Sequence, residues 1–93
     1  MEFLDTVLRP NVAGKIRVVV TNPEKKEIVI RITLPDGLVT EISTNKEIDE
    51  IPLKLPPLKE GKYELPFKIF VSGSLFKEGR FSIHVREIPK FRR

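Results

Sequence analysis

The sequence predicts an all-β protein, a sandwich or small barrel of short strands. Apolar and polar residues alternate with a period of two along most of the chain, as in strands that bury one face. Pro, Gly, Asn and Asp cluster at short intervals between these segments, and such clusters mark turns. No segment shows a sustained helical period. The 93 residues of the chain suffice for one domain.

The alternation predicts seven strands and the side chains that form the core. The strands are expected at residues 2–9, 14–21, 26–34, 38–44, 50–55, 61–72 and 79–87. The expected inward side chains are Ile16, Val18, Val20, Ile28, Ile30, Ile32, Leu34, Ile51, Leu53, Leu55, Tyr63, Leu65, Phe67, Ile69, Val71, Phe81, Ile83 and Val85. The first strand leaves two registers open, one that buries Phe3 and Val7 and one that buries Leu4 and Leu8.

Two prolines lie inside predicted strands, where they cannot donate a ladder hydrogen bond. Pro52 is expected on an edge strand. Pro66 lies in the sixth strand, which we expect at the centre of a sheet, so a bulge or bend is predicted near it.

Three stretches carry the order of strands and turns on which a family resemblance rests: GKIRVVVTNPEKKEIVIRITLPDGL, LPPLKEGKYELPFKIFV and EGRFSIHV. Together they resemble prokaryotic immunoglobulin-like modules related to fibronectin type III, over nearly the whole chain. The resemblance implies a seven-stranded immunoglobulin-like β-sandwich at residues 1–87, followed by a basic C-terminal tail at residues 88–93. The chain has no cysteine and no tryptophan, so the Cys–Trp–Cys signature of antibody domains is absent.

Tyr63 opens the predicted sixth strand after the turn Leu58-Lys59-Glu60-Gly61. This placement resembles a tyrosine corner, in which the hydroxyl bonds back to the upstream backbone. The alternative is that Tyr63 is only a buried aromatic residue.

Few residues of the chain can carry catalytic or metal chemistry. The absence of cysteine excludes disulfides and thiolate zinc sites. The single histidine, His84, falls on the polar face of the last strand. Glu47, Asp49 and Glu50 are better explained as a solvated turn than as a calcium loop, because their spacing lacks the alternating ligands and internal glycine. We therefore expect no enzyme activity, no metal and no cofactor.

The basic charge of the chain is concentrated at its C-terminal end. Up to Phe76 the chain carries eleven Lys or Arg and eleven Asp or Glu, whereas the last seventeen residues hold the whole net charge of +4. This asymmetry could attract nucleic acid or another polyanion, or it could be merely solvated. The residues that would contact an anion are Arg80, Arg86, Lys90, Phe91, Arg92 and Arg93.

Residues 72–79 form a predicted loop that carries Leu75 and Phe76 at its crest. These side chains could be an exposed apolar anchor for a partner, or Phe76 could fold inward and plug the open end of the sandwich. The alternation also places Phe70 on an outer face, where it would form an apolar patch with Val29 if their strands are neighbours.

The leading functional hypothesis is a non-catalytic protein-interaction or accessory module. It would bind a protein partner or a second copy through Phe70, Leu75 and Phe76, and the alternative is a small nucleic-acid-associated protein that uses the basic end. No transmembrane segment is expected. The location is expected to be cytoplasmic, or extracellular if the chain belongs to a larger surface protein. Abundant Lys and Glu with no glutamine and one methionine suggest a thermophile.

Overall fold

The computed structural model describes residues 1–87, which form eight β-strands in two sheets and no helix. The strands are β1 (Glu2–Leu4), β2 (Val7–Leu8), β3 (Gly14–Thr21), β4 (Ile28–Thr33), β5 (Val39–Thr44), β6 (Ile48–Leu55), β7 (Gly61–Val71) and β8 (Ser74–Val85). One sheet has three strands in the order β1-β3-β6, and the other has five in the order β2-β8-β7-β4-β5. All neighbours are antiparallel except β2 and β8, which are parallel. The predicted all-β architecture is confirmed.

The core lies between the two sheets and consists of the side chains that the alternation predicts. All of the expected inward residues are buried except Ile51, Tyr63 and Val71, which are half-buried and pack against the core. Leu8 and Ile42 are also buried. Three phenylalanines meet at the β1 side of this core, where the rings of Phe3 and Phe81 stack with centroids 3.7 Å apart. The predicted burial pattern is therefore confirmed.

The predicted first strand is two strands, so the count of seven is wrong. The backbone of Asp5 adopts a positive φ of 60°, and the chain crosses there from the three-stranded sheet to the five-stranded sheet. Phe3 packs against the core in β1, and Leu8 is buried in β2. Both registers that the sequence left open are thus used, one on each side of Asp5.

Arg17 joins the crossing point to the three-stranded sheet. Its Nε donates to Oδ2 of Asp5 at 2.6 Å, and its Nη1 donates to Oε1 of Glu50 at 3.1 Å. The hydrogen bond with Asp5, followed by that with Glu50, raises the pKa of the Arg17 guanidinium. All three side chains are exposed, so we assign these ion pairs to local orientation of the chain.

The two strand prolines have different outcomes. Pro52 lies on β6, at the edge of the three-stranded sheet, as predicted. Pro66 itself has no bulge, because the register of β7 against β8 is continuous through Pro66 and Arg80, and the irregularity of this strand pair lies further along, at Ile69 and Phe70. The ladder between β4 and β7 ends at Ile32 and Phe67, so the missing amide hydrogen of Pro66 falls beyond its last pair.

Residues 72–79 are not a loop, contrary to the prediction. Ser72 and Gly73, with φ of 49° and 83°, make a tight two-residue turn, and β8 begins at Ser74. Gly79 is a strand residue paired with Phe67, and a Cβ there would lie 3.2 Å from Cζ of the Phe67 ring. Gly79 therefore leaves room for a core aromatic ring.

The hydroxyl of Tyr63 donates to the carbonyl oxygen of Lys59 at 2.7 Å. This bond to the backbone four residues upstream confirms the predicted tyrosine corner. It ties the start of β7 to the connection from β6.

Replacing Tyr63 with Phe is expected to lower the free energy of unfolding by about 1 kcal/mol, because one hydrogen bond is lost and the ring is kept. Urea unfolding followed by circular dichroism measures this difference. An unchanged midpoint would show that water replaces the hydroxyl at no cost.

Candidate functional site

The turn end of the β7–β8 hairpin exposes two large apolar side chains. Leu75 is 53% exposed and Phe76 is 72% exposed. Phe76 borders a cavity of about 230 Å³ between the two sheets without filling it. The other lining residues are mainly apolar: Met1, Phe3, Val20, Thr21, Ile28, Ile30, Phe67, Ile69, Val71 and Lys77. Phe76 is therefore exposed and does not plug the open end of the sandwich.

A β-bulge determines how Leu75 and Phe76 are presented. Ile69 pairs with Lys77, but the next residue, Phe70, pairs with Leu75. Phe76 is thus the extra residue of β8, and bulges of this kind redirect a side chain at a sheet edge. The bulge sends Leu75 to the side of Phe70 and leaves Phe76 at the rim of the cavity.

The outer face of the five-stranded sheet, which points away from the three-stranded sheet, carries an apolar row next to the turn. Val29 pairs with Phe70 across β4 and β7, so the predicted neighbourhood is present, and Leu75 extends the row on β8. Phe70 is only half-exposed, because Cζ of Arg31 lies 4.9 Å from its ring centroid. Nε of Arg31 also donates to Oε2 of Glu41 at 2.9 Å. The exposed part of the row is therefore its Leu75 end.

Below the apolar row, the outer face has an open groove of about 550 Å³ with charges of both signs. Lys68 faces Arg31 on one side and Glu78 on the other. The lining residues are Arg31, Thr33, Val39, Pro66, Phe67, Lys68, Glu78, Gly79 and Arg80. The charged lining residues are three cations, Arg31, Lys68 and Arg80, and one carboxylate, Glu78. Arg31 and Arg80 each have a carboxylate beside them, Glu41 at 2.9 Å and Glu64 at 3.7 Å, which offsets part of this positive charge.

The predicted anion contacts are only partly described by the structure. Arg80 and Arg86 are exposed and six residues apart along β8 and its continuation, which corresponds to about 20 Å. Nη1 of Arg80 lies 3.7 Å from Oε2 of Glu64. Lys90, Phe91, Arg92 and Arg93 lie outside the described residues, as does the predicted tail. The described part carries fourteen Lys or Arg and thirteen Asp or Glu, so most of the excess charge lies beyond it.

The candidate catalytic and metal-binding residues are exposed on the surface or hydrogen-bonded to neighbouring strands. His84 is exposed, paired with Lys62 on one side and Val7 on the other. Asp49 and Glu50 belong to β6 and not to a turn, and Asp49 accepts a 2.7 Å hydrogen bond from the Thr44 hydroxyl. Within residues 1–87, no three acidic or histidine side chains are arranged to hold a metal ion. No helix there is long and apolar enough to cross a membrane.

Comparison with known proteins gave no relative: no protein family matches the chain, and no curated protein matches it. Sequence reasoning selected Leu75 and Phe76, but it missed Glu78 because it placed this residue in a loop. Glu78 is on the edge strand β8, which neighbours β2 only at His84 and Val85.

Proposed function

We propose that the chain is a non-catalytic protein-interaction module with an immunoglobulin-like sandwich. It binds its partner through the hairpin end, defined as Leu75 and Phe76 with the adjoining Phe70. The observation that carries the proposal is the exposure of Phe76, which is 72% exposed and stands beside a 53% exposed Leu75.

The order of strand pairing supports the immunoglobulin-like assignment. In that fold the second strand pairs with the fifth of seven, while the third, sixth and seventh share the opposite sheet. Here β3 pairs with β6, and β4, β7 and β8 lie together, which matches these pairings once β1 and β2 count as one split strand. The fourth strand in that count, β5, differs from the constant-type fold, because it pairs with β4 in the five-stranded sheet and not with β6. The bond from Tyr63 to Lys59 adds a feature of the same fold.

Apolar surface at the hairpin end supplies the binding energy. Leu75 and Phe76 are neighbours on a hairpin, so a partner can cover their apolar surface without ordering a loop first. The loss of conformational entropy on binding is therefore small. The bulge at Phe76 fixes their direction. Aromatic anchors at the centre of an interface carry a large share of binding energy. The open cavity beside Phe76 offers an apolar recess for a partner side chain.

The reactive groups of the chain support the non-catalytic part of the proposal. It has no thiol, and its one imidazole lies exposed on a flat sheet face. Catalytic acid–base pairs require a cleft that shifts their pKa values.

The test is capture of binding partners by the immobilised chain, with and without Phe76→Glu. The wild type is expected to retain a defined protein, or a second copy of the chain, and Phe76→Glu is expected to lose it by about tenfold or more. Ile48→Glu is the matched control, because Ile48 is 68% exposed, close to the 72% of Phe76, but lies on β6.

Two outcomes would contradict the proposal. Equal retention by Phe76→Glu and the wild type would remove the hairpin end from the interface. Salt-sensitive retention of nucleic acid that is unaffected by Phe76→Glu would favour the basic C-terminal end instead.

A further inference from the structure

The edge of β8 is open over most of its length. β2 pairs with β8 only at His84 and Val85, so residues 75–83 have β7 on one side and no strand of residues 1–87 on the other. Unpaired backbone groups on such an edge are a template for another strand.

The hydrogen bonds to β2 show which backbone groups face the open edge. The N–H of His84 donates to the carbonyl of Thr6, and the N–H of Arg86 donates to that of Leu8. Backbone groups of successive strand residues point to opposite sides. The N–H and C=O groups of Glu78, Arg80 and Ser82 therefore point away from β7, toward the open edge.

We propose that two copies of this chain associate by antiparallel pairing of their β8 edges about a twofold axis at Gly79. The inference rests on, and deepens, the proposed function as an interaction module, since it names a second copy as the partner. The two five-stranded sheets would become one continuous sheet. In this isologous arrangement Glu78 of each copy lies opposite Arg80 of the other.

Charge selects this register among those that the edge allows. Glu78 and Arg80 both point their backbone groups outward, and their side chains share the outer face of the sheet. Shifting the axis to Arg80 would oppose two arginines, and shifting it to Glu78 would oppose two glutamates, which is unfavourable across strands. Edge charges usually block pairing. Here they block the neighbouring registers and favour one.

The geometry of the edge agrees with an axis at Gly79. Gly79 lies near the middle of the open part of β8, which runs from Ser74 to the pairing with β2 at His84. The bulge at Phe76 ends the regular ladder on each side, so the paired segment is residues 77–81. The pairing places the exposed Leu75 and Phe76 of one copy beside Ser82 of the other, at the periphery of the same interface.

A charge-swap series tests the pairing. Sedimentation equilibrium from micromolar to millimolar protein is expected to show a dimer for the wild type. Glu78→Arg alone and Arg80→Glu alone should each weaken the dimer by about tenfold or more, because each puts like charges opposite one another. The double swap of both residues should restore it. Glu60→Arg, an exposed change of equal charge off the edge, is the control and should leave dimerisation unchanged.

Amide hydrogen exchange provides a second measurement that does not need variants. The amides of Glu78 and Arg80 should become protected as the protein concentration rises, whereas those of the β5 edge should not. A wild type that stays monomeric at millimolar concentration overturns the proposal. So does a dimer that tolerates the single swaps or is not restored by the double swap.

The dimer and the interaction module can fail separately. A monomer that still retains a different protein through Phe76 overturns only the dimer. A charge-dependent dimer that persists in Phe76→Glu overturns only the assignment of binding to the hairpin end.

Discussion

Replacing Leu65 with Ala is expected to lower the free energy of unfolding by about 2–5 kcal/mol. Leu65 is completely buried on β7, which has β4 and β8 as neighbours in the five-stranded sheet. Truncation leaves a cavity that the surrounding strands cannot close, because the packed sheets hold their positions. A domain of this size has about 5–15 kcal/mol of stability in total, so the loss is a large share of it.

Urea unfolding measures the effect, with Leu38→Ala as the matched control. Leu38 is 65% exposed in the connection between β4 and β5, and the same truncation there should change stability by less than about 0.5 kcal/mol. Equal effects of the two substitutions would contradict the burial of Leu65 in the core.

Replacing Asn22 with Ala is expected to cost about 2 kcal/mol, although Asn22 lies in a turn. Its side chain is nearly buried, with 5% exposure. Nδ2 donates to the carbonyl of Lys26 at 2.7 Å, and Oδ1 accepts from the N–H of Lys26 at 3.1 Å. Alanine removes both bonds and leaves two backbone groups of Lys26 without partners in a part-buried site.

Two other substitutions make the Asn22 prediction specific. Asn22→Asp keeps the acceptor for the Lys26 N–H and loses the donor, so an intermediate loss of stability is expected. Asn45→Ala, in the exposed turn between β5 and β6, should have an effect below about 0.5 kcal/mol. If Asn22→Ala unfolds at the same urea concentration as the wild type, the two hydrogen bonds between Asn22 and Lys26 contribute nothing to stability.

The core was predictable because it depends on a local signal. A residue in a strand faces the side opposite to its neighbours, so the apolar residues around Ile30 and Ile83 identify the buried face without knowledge of the partner strands. The tyrosine corner was predictable for a similar reason, since Tyr63 and Lys59 are only four residues apart.

The division of the first strand was not predictable from alternation. The period of two tells which side chains share a face, but not which sheet the strand joins. Asp5 is unremarkable in the sequence, and its positive φ follows from the need to cover both β3 and β8 with one short segment.

The apolar residues of the candidate site were predicted from the sequence, but the open edge of β8 beside them was not. Leu75 and Phe76 stand out because two large apolar residues follow a Ser-Gly-Ser turn. Glu78 was placed in the predicted loop of residues 72–79, and the last strand was expected to begin only at Gly79. In the structure β8 begins at Ser74, and a side chain at Gly79 would crowd the ring of Phe67, a contact between strands that no local pattern contains. With β8 extended in this way, Glu78 joins Arg80 on the open edge.

The parallel contact between β2 and β8 has a consequence for how the chain is made. The ribosome synthesises β2 before β8. The carbonyl groups of Thr6 and Leu8 therefore have no hydrogen-bonding partners until His84 and Arg86 have left the exit tunnel. Until then Leu8 lacks Val85 beside it and Phe3 lacks the ring of Phe81. The core therefore cannot close while only residues up to β7 have emerged, and the sandwich is completed once β8 has joined it.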